Sequence, residues 1–193
     1  MAEQQSRGSV PVLQAVGIIA PTLYTGFTFA YPHVLIPPLT THAPPKLLAR
    51  QWLQAYRFAP TFVAPLVMLG TASNALLAYL FFSSSSFSAA AKLYGLAALA
   101  TASIAPYTAL YMEPGVNGAG KWKARELLGG DEVVFKGMGR GTERDSATGA
   151  AKSWAEGVDM KCIVETWARL NAWRYVITAA ATICSAGATV LGR

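Results

Sequence analysis

Charged residues are absent from four long stretches of the chain, residues 8–45, 58–91, 93–112 and 175–192. Each holds or nearly holds the ~20 apolar residues that cross a hydrocarbon core, the last when extended back through Arg174 and Asn171. The pattern predicts spans at about residues 12–36, 58–82, 89–112 and 168–191. The expected fold is all-α: one integral membrane domain over residues 1–193, a membrane-spanning four-helix bundle with one long cytoplasmic loop between helices three and four. Within the last span the polarity is one-sided. At about 100° per residue, Trp167, Asn171 and Arg174 fall within roughly 60° of one another. Thr178, Thr182, Ser185 and Thr189 continue the same stripe, while Ala172, Val176, Ile183 and Val190 face elsewhere. Polar groups inside a membrane face a bundle interior or a cavity and mark functional sites by default.

The first span is interrupted by Pro21 and Pro32, and Pro37-Pro38 is expected to end it, since proline removes a helical N–H and frees a carbonyl. The connector 39–50, with Pro44-Pro45, should be an ordered turn. A second helix starting near Ala49 carries Trp52, Tyr56, Val63, Gly70 and Asn74 along one stripe. The third ends in the aromatic stretch around Tyr107 and Tyr111. Residues 113–166 are Gly-rich and of mixed charge, and read as a polar loop with a short helix near 121–128, a mobile middle and a second helix from about Ala151.

Composition supports the membrane assignment: 53% of residues are hydrophobic, 13% are charged and the mean hydropathy is +0.33, too apolar for an ordinary soluble domain. The net charge of +6 would suggest nucleic acid, but its placement speaks for topology. Eleven of sixteen basic residues lie in the two expected long loops and three on the opposite side, which predicts cytoplasmic loops and lumenal or external termini. No nucleic-acid partner is expected. The apolar run after the N-terminal tail is too long for a cleaved signal and should stay as a helix. Cys162 and Cys184, with two histidines elsewhere, make neither a disulfide nor a metal site. The Gly-rich run at 137–141 follows no strand, so a phosphate loop is not expected.

Each polar residue has a plain structural reading. Arg174 can snorkel to the interface. Asn74 and Asn171 can hydrogen-bond between helices. Trp52, Tyr56, Tyr107 and Trp167 can form an interfacial belt. His33 can be a satisfied helix-end histidine. Their convergence at one end of the bundle instead describes a pocket for a flat, hydroxylated, partly anionic aromatic molecule, with stacking walls and one fixed cation.

The Trp167-x-x-x-Asn171-x-x-Arg174 pattern opens the last helix, preceded by Pro106-Tyr107-Thr108, Met112-Glu113-Pro114 and Asn117, with Trp52 and Tyr56 before the second span. Together these resemble the small four-helix anthrone oxygenases of fungal polyketide pathways. The resemblance implies oxidation of an anthrone to an anthraquinone by O₂ in secondary metabolism, without metal or flavin. It implies Arg174 and Asn171 at the developing oxyanion, and Trp52, Tyr56, Tyr107 and Trp167 around the rings. Asn117 follows as a further contact, although the family's compact Pro-Thr-Asn here reads Pro114-Gly115-Val116-Asn117. His33, or a tyrosine, would take the methylene proton. The expected partners are a small aromatic polyketide, O₂ and membrane lipid, in the endoplasmic reticulum or another endomembrane, and self-association as a homo-oligomer stays open. The alternative is a non-catalytic bundle that binds or transports a hydrophobic metabolite or lipid.

Overall fold

The computed structural model describes residues 2–84, 88–129 and 145–192. Among these residues every regular element is helical. Four helices are long and apolar enough to cross a membrane: α1 (Ser9–His42), α2 (Pro45–Ser83), α3 (Ala89–Leu128) and α5 (Met160–Leu191). A short helix, α4 (Gly149–Glu156), stands between the last two. This is the organisation of a multi-pass membrane protein.

The ends differ from expectation, for reasons that lie in the prolines. Pro37-Pro38 does not end α1. The helix widens into a π-helical turn at Tyr31–Leu35, where the Ile36 N–H reaches back to the Tyr31 carbonyl. It then continues to His42, with Thr40 and Thr41 hydroxyls donating to the Ile36 and Pro37 carbonyls. The break comes at Ala43, whose extended backbone (ψ 131°) is the conformation that a following proline favours. So the expected turn at 39–50 shrinks to two residues before α2 begins at Pro45.

Helix α3 does not stop at Met112 either. It passes through a π-helical segment, Tyr107–Asn117, that accommodates Pro114 and a kink at Gly115 (φ −95°, ψ −111°). It stops at Gly129, where φ is +56°, a positive value that glycine adopts without steric cost. The expected long loop is therefore largely helical where it is described, and its middle, 130–144, lies outside the described residues. The second expected loop helix is α4, capped by Thr148. It does not run into the last span: Gly157 ends it, and Asp159 caps α5 by accepting from the Cys162 N–H at 2.8 Å.

The chain divides into two units. The first comprises Met1–Phe27, Ala64–Ile104 and Arg174–Arg193. Its outside is apolar (Val12, Leu69, Leu99, Ile183 and Val190 are all exposed) and its inside is small or hydroxylated (Ala20, Ala97, Thr101, Thr178, Ala181, Ser185, Ala188). That inversion is expected where lipid is the solvent and close helix packing needs small residues. The stripe on α5 faces this interior. Thr25 and Thr178 hydroxyls lie 2.8 Å apart, and those of Tyr94 and Thr189 2.9 Å apart. Pro21 lacks the N–H that would bond the Gly17 carbonyl, and Asn74 supplies it from α2 at 2.9 Å. Asn74→Leu is expected to lower thermal stability in detergent by about 1–3 kcal/mol, the cost of a buried unsatisfied carbonyl. An unchanged unfolding midpoint would show that the bond contributes nothing.

The second unit comprises Thr28–Val63 and Ala105–Trp173. Its core is formed by large side chains, among them Trp52, Leu48, Met112, Met160, Ile163 and Trp167, and it contains the aromatic residues singled out above.

Candidate functional site

On α3, Glu113, Asn117 and Lys121 recur every fourth residue and so share one face of the helix. Lys121 is 2% exposed, a position that lysine holds only when its charge is met. Glu113 meets it, in an ion pair with Lys121 Nζ on Oε1. Ser146 Oγ donates to the same oxygen at 2.9 Å. The other carboxylate oxygen accepts from Tyr56 at 2.6 Å and from Asn117 Nδ2 at 3.1 Å. The segment before α4 is fastened further: the one Ser146 hydroxyl proton is shared with the Glu113 carbonyl, 3.1 Å away, and the Thr148 N–H donates to the Pro114 carbonyl at 3.1 Å. Each remaining donor or acceptor of this hub is thereby given a fixed direction. Because Asn117 donates through Nδ2, its Oδ1 is left as an acceptor.

Aromatic rings adjoin the hub. Tyr56 stacks on Trp52 (5.4 Å between centroids, 17°). Trp52 meets Trp167 edge-on (6.1 Å, 89°), and Tyr31 meets Trp167 likewise (5.3 Å, 87°). Lys121 Nζ lies 5.7 Å from the Tyr56 ring centre. Trp52 and Trp167 are buried against each other, so neither belongs to a lipid-facing belt. Tyr107 donates to the Leu170 carbonyl at 2.9 Å and stacks on the exposed Tyr111.

Within this neighbourhood three buried polar atoms have no hydrogen-bond partner among the described residues: Trp52 Nε1, Asn171 Nδ2 and Asn117 Oδ1. Their residues are each 1% exposed. Asn171 stands one turn beyond Trp167 on α5, and Asn117 one turn before Lys121 on α3. Two donors and an acceptor withdrawn from water cost about 1–3 kcal/mol each unless something meets them.

Two expected site residues lie elsewhere. Arg174 belongs to the first unit, where its guanidinium lies beside the buried Tyr24 hydroxyl. His33 is exposed on the π-helical turn of α1, stacked on Phe29 at 4.3 Å. It lines an open cleft of about 610 Å³ with Thr40, Thr41, Glu165 and Arg169, floored by Ile36, Pro37 and Ala168. Sequence reading missed Glu113 and Lys121 as site residues, although the acid, amide and base at positions 113, 117 and 121 would have shown the stripe once this stretch was read as helix. Outside the spans, the Asp145 carboxyl is held below its usual range, chiefly by the hydrogen bond from Lys152 at 2.5 Å. This exposed strut is in place above the ordinary carboxylate range and is lost as pH falls through the lowered value.

Residues 52–184 match the family model described as anthrone oxygenase. The match covers both walls of the aromatic cluster, the Glu113 hub, Asn171 and Arg174, and begins after His33. No curated protein and no solved structure matches the chain.

Proposed function

The chain belongs to the anthrone oxygenase family, and from that premise we propose that it oxidises a hydroxylated polyketide anthrone to the anthraquinone, with O₂ as oxidant and no metal or flavin. The observation that carries this reading is the set of unpartnered buried atoms (Trp52 Nε1, Asn171 Nδ2, Asn117 Oδ1) among aromatic rings. A flat molecule with a ketone and phenolic hydroxyls answers all three. The methylene of an anthrone is acidic because its conjugate base is an aromatic enolate, and that enolate is electron-rich enough to pass one electron to O₂. Recombination of the radical pair forms a carbon–oxygen bond and gives a hydroperoxide. Loss of water then leaves the quinone, one oxygen atom in the product and one in water. The protein has to stabilise the enolate and keep bulk water out. Asn171 is assigned to the developing oxyanion. Trp52, Trp167 and Tyr107 are assigned to the rings.

Membranes containing the protein are expected to consume O₂ and form quinone from a dihydroxyanthrone well above the spontaneous rate. Asn171→Leu should lower that rate by about a hundredfold, the usual cost of one oxyanion donor. Full turnover in the variant would remove Asn171 from the reaction. A second reading, a protein that binds or carries a hydrophobic metabolite, is favoured by the cleft beside His33 and Arg169. Saturable binding of the anthrone without O₂ consumption would select it.

A further inference from the structure

Asn117 and Trp52 present an acceptor and a donor whose senses are both fixed. We propose that together they bind a free phenolic hydroxyl at an outer position of the substrate's rings, away from its ketone, and reject a methyl ether or a bare hydrogen there. This deepens the oxygenase reading above, on which it rests, by naming the substituent that the site selects. The sense of each group follows from its chemistry. An amide can present either end, but the Asn117 nitrogen faces the Glu113 carboxylate at 3.1 Å, and a carboxylate only accepts. Asn117 Oδ1 is therefore the acceptor, buried and with no partner among the described residues. An indole nitrogen can only donate, and Trp52 Nε1 is likewise buried and unmet. Both residues are 1% exposed, so a partner has to be brought to them.

The two groups stand on one side of α3. Gly120 lies three residues beyond Asn117, a spacing that makes side chains neighbours, about 5–6 Å apart at Cβ. Glycine there lets the indole press against the helix: a Cβ would lie 2.5 Å from Trp52 Cη2 and 2.8 Å from Cζ2, one bond from the carbon that bears the nitrogen. Tyr56 on the indole face and Trp167 at its edge hold the ring in place. A hydroxyl answers both groups with one substituent: its oxygen accepts from Trp52 and its proton goes to Asn117. An ether oxygen still accepts, but it brings no proton for Asn117. A hydrogen leaves both groups unmet. Position matters as well. A hydroxyl beside the ketone, at a peri position, gives its proton to that ketone within the molecule. Only a hydroxyl further out has a proton free for Asn117. Asn171 remains for the ketone, as assigned above, and Asn117 and Trp52 set specificity without making or breaking a bond.

Anthraquinones have the same rings and ketones but no methylene to oxidise, so they report binding apart from the reaction. The full chain in lipid nanodiscs is titrated with anthraquinone, its outer monohydroxy derivative, the methyl ether of that derivative, and the peri isomer. Empty nanodiscs give the share that partitions into lipid, and the pH is kept below the pKa of the outer hydroxyl. Wild type should bind the outer hydroxyl compound about ten- to a hundredfold more tightly than the other three. Asn117→Leu should erase the preference for hydroxyl over ether, and Trp52→Phe should weaken the preference for hydroxyl over hydrogen. A merely structural role would lower all four affinities together and leave their ratios alone. The Raman band that reports hydrogen bonding of an indole N–H should also shift on binding in wild type and not in Trp52→Phe. Equal wild-type affinities for the hydroxyl compound and its ether would overturn the proposal and give the two groups to a resident water. So would a preference for the peri isomer, or a hydroxyl preference that persists in Asn117→Leu. If Asn117→Leu does not fold, the wild-type series and Trp52→Phe decide. O₂ uptake with a hydroxylated anthrone tests the oxygenase reading separately. Selective binding without O₂ uptake would end that reading and leave the hydroxyl assignment standing; uptake with unselective binding would do the reverse.

Discussion

Lys121→Met is expected to lower the stability of the folded protein by about 1–3 kcal/mol, the cost of leaving the half-buried Glu113 carboxylate without the ammonium group that meets it. Methionine matches the lysine stem in length and apolar character, so packing is nearly conserved and the loss reports the charge. Glu113 would keep its bonds from Tyr56, Asn117 and Ser146, but three neutral donors do not replace an ammonium group in a buried site. Hydration of its exposed edge gives partial relief, and protonation would weaken the same bonds. The measurement is the thermal unfolding midpoint in detergent. Adding Glu113→Gln to Lys121→Met should recover most of the loss, because replacing both members of a buried pair is far less damaging than removing one. A single variant as stable as wild type would mean that water at the exposed edge of Glu113 replaces the ammonium group.

How much of this was legible beforehand depends on which physical signal each residue gave. The spans were plain in the charge-free stretches, because hydrocarbon excludes charge regardless of local geometry. The stripe on α5 was legible for the same reason, and Thr178 and Ser185 are fully buried in the first unit. Asn74 read as a link between helices, and its bond to the Gly17 carbonyl agrees. The end of α1 was misread because Pro37-Pro38 was taken to mean termination, and α3 was expected to stop at Met112. At Pro37 and again at Pro114, a π-helical turn absorbs the missing N–H and the helix continues, an outcome that depends on neighbours and not on local sequence. That one error concealed the hub. With 113–166 read as a polar loop carrying a short helix near 121–128, Glu113 counted only as part of the Met112-Glu113-Pro114 motif and Lys121 only as a loop charge. Trp52, Tyr56 and Trp167 were grouped correctly as aromatic neighbours, since their spacing puts them at matching ends of adjacent helices. His33 was grouped with them on sequence position alone, and in the structure it lines the outer cleft instead.

Gly118→Val is expected to be nearly as damaging as the loss of Lys121, and it tests whether the segment before α4 is held where the hub requires. A Cβ at Gly118 would lie 2.6 Å from the Ala147 Cα and 2.7 Å from its nitrogen. Those are backbone atoms flanked by Ser146 and Thr148, both bonded to α3, so no rotamer change can make room. Either the helix or the segment must shift, and the Ser146 bonds to Glu113 go with it. Overpacking of this kind typically costs 1–3 kcal/mol, and about the top of that range or beyond is expected where backbone is the obstacle. Gly120 faces the other way, two residues on: its added Cβ would meet the Trp52 ring at 2.5 Å. That ring is held by Tyr56 on its face and Trp167 at its edge, so Gly120→Val should disturb the aromatic wall more than the hub. Gly95 supplies the contrast, because nothing lies within 4 Å of its Cβ position; Gly95→Ala should gain about 0.5–1 kcal/mol by stiffening the unfolded chain and favouring helix. Unfolding midpoints of the three variants therefore have a predicted order, Gly95→Ala above wild type and Gly118→Val lowest. A Gly118→Val protein as stable as wild type would show that the segment at residues 145–148 does not rest against α3, and the hub would lose its Ser146 contact with it.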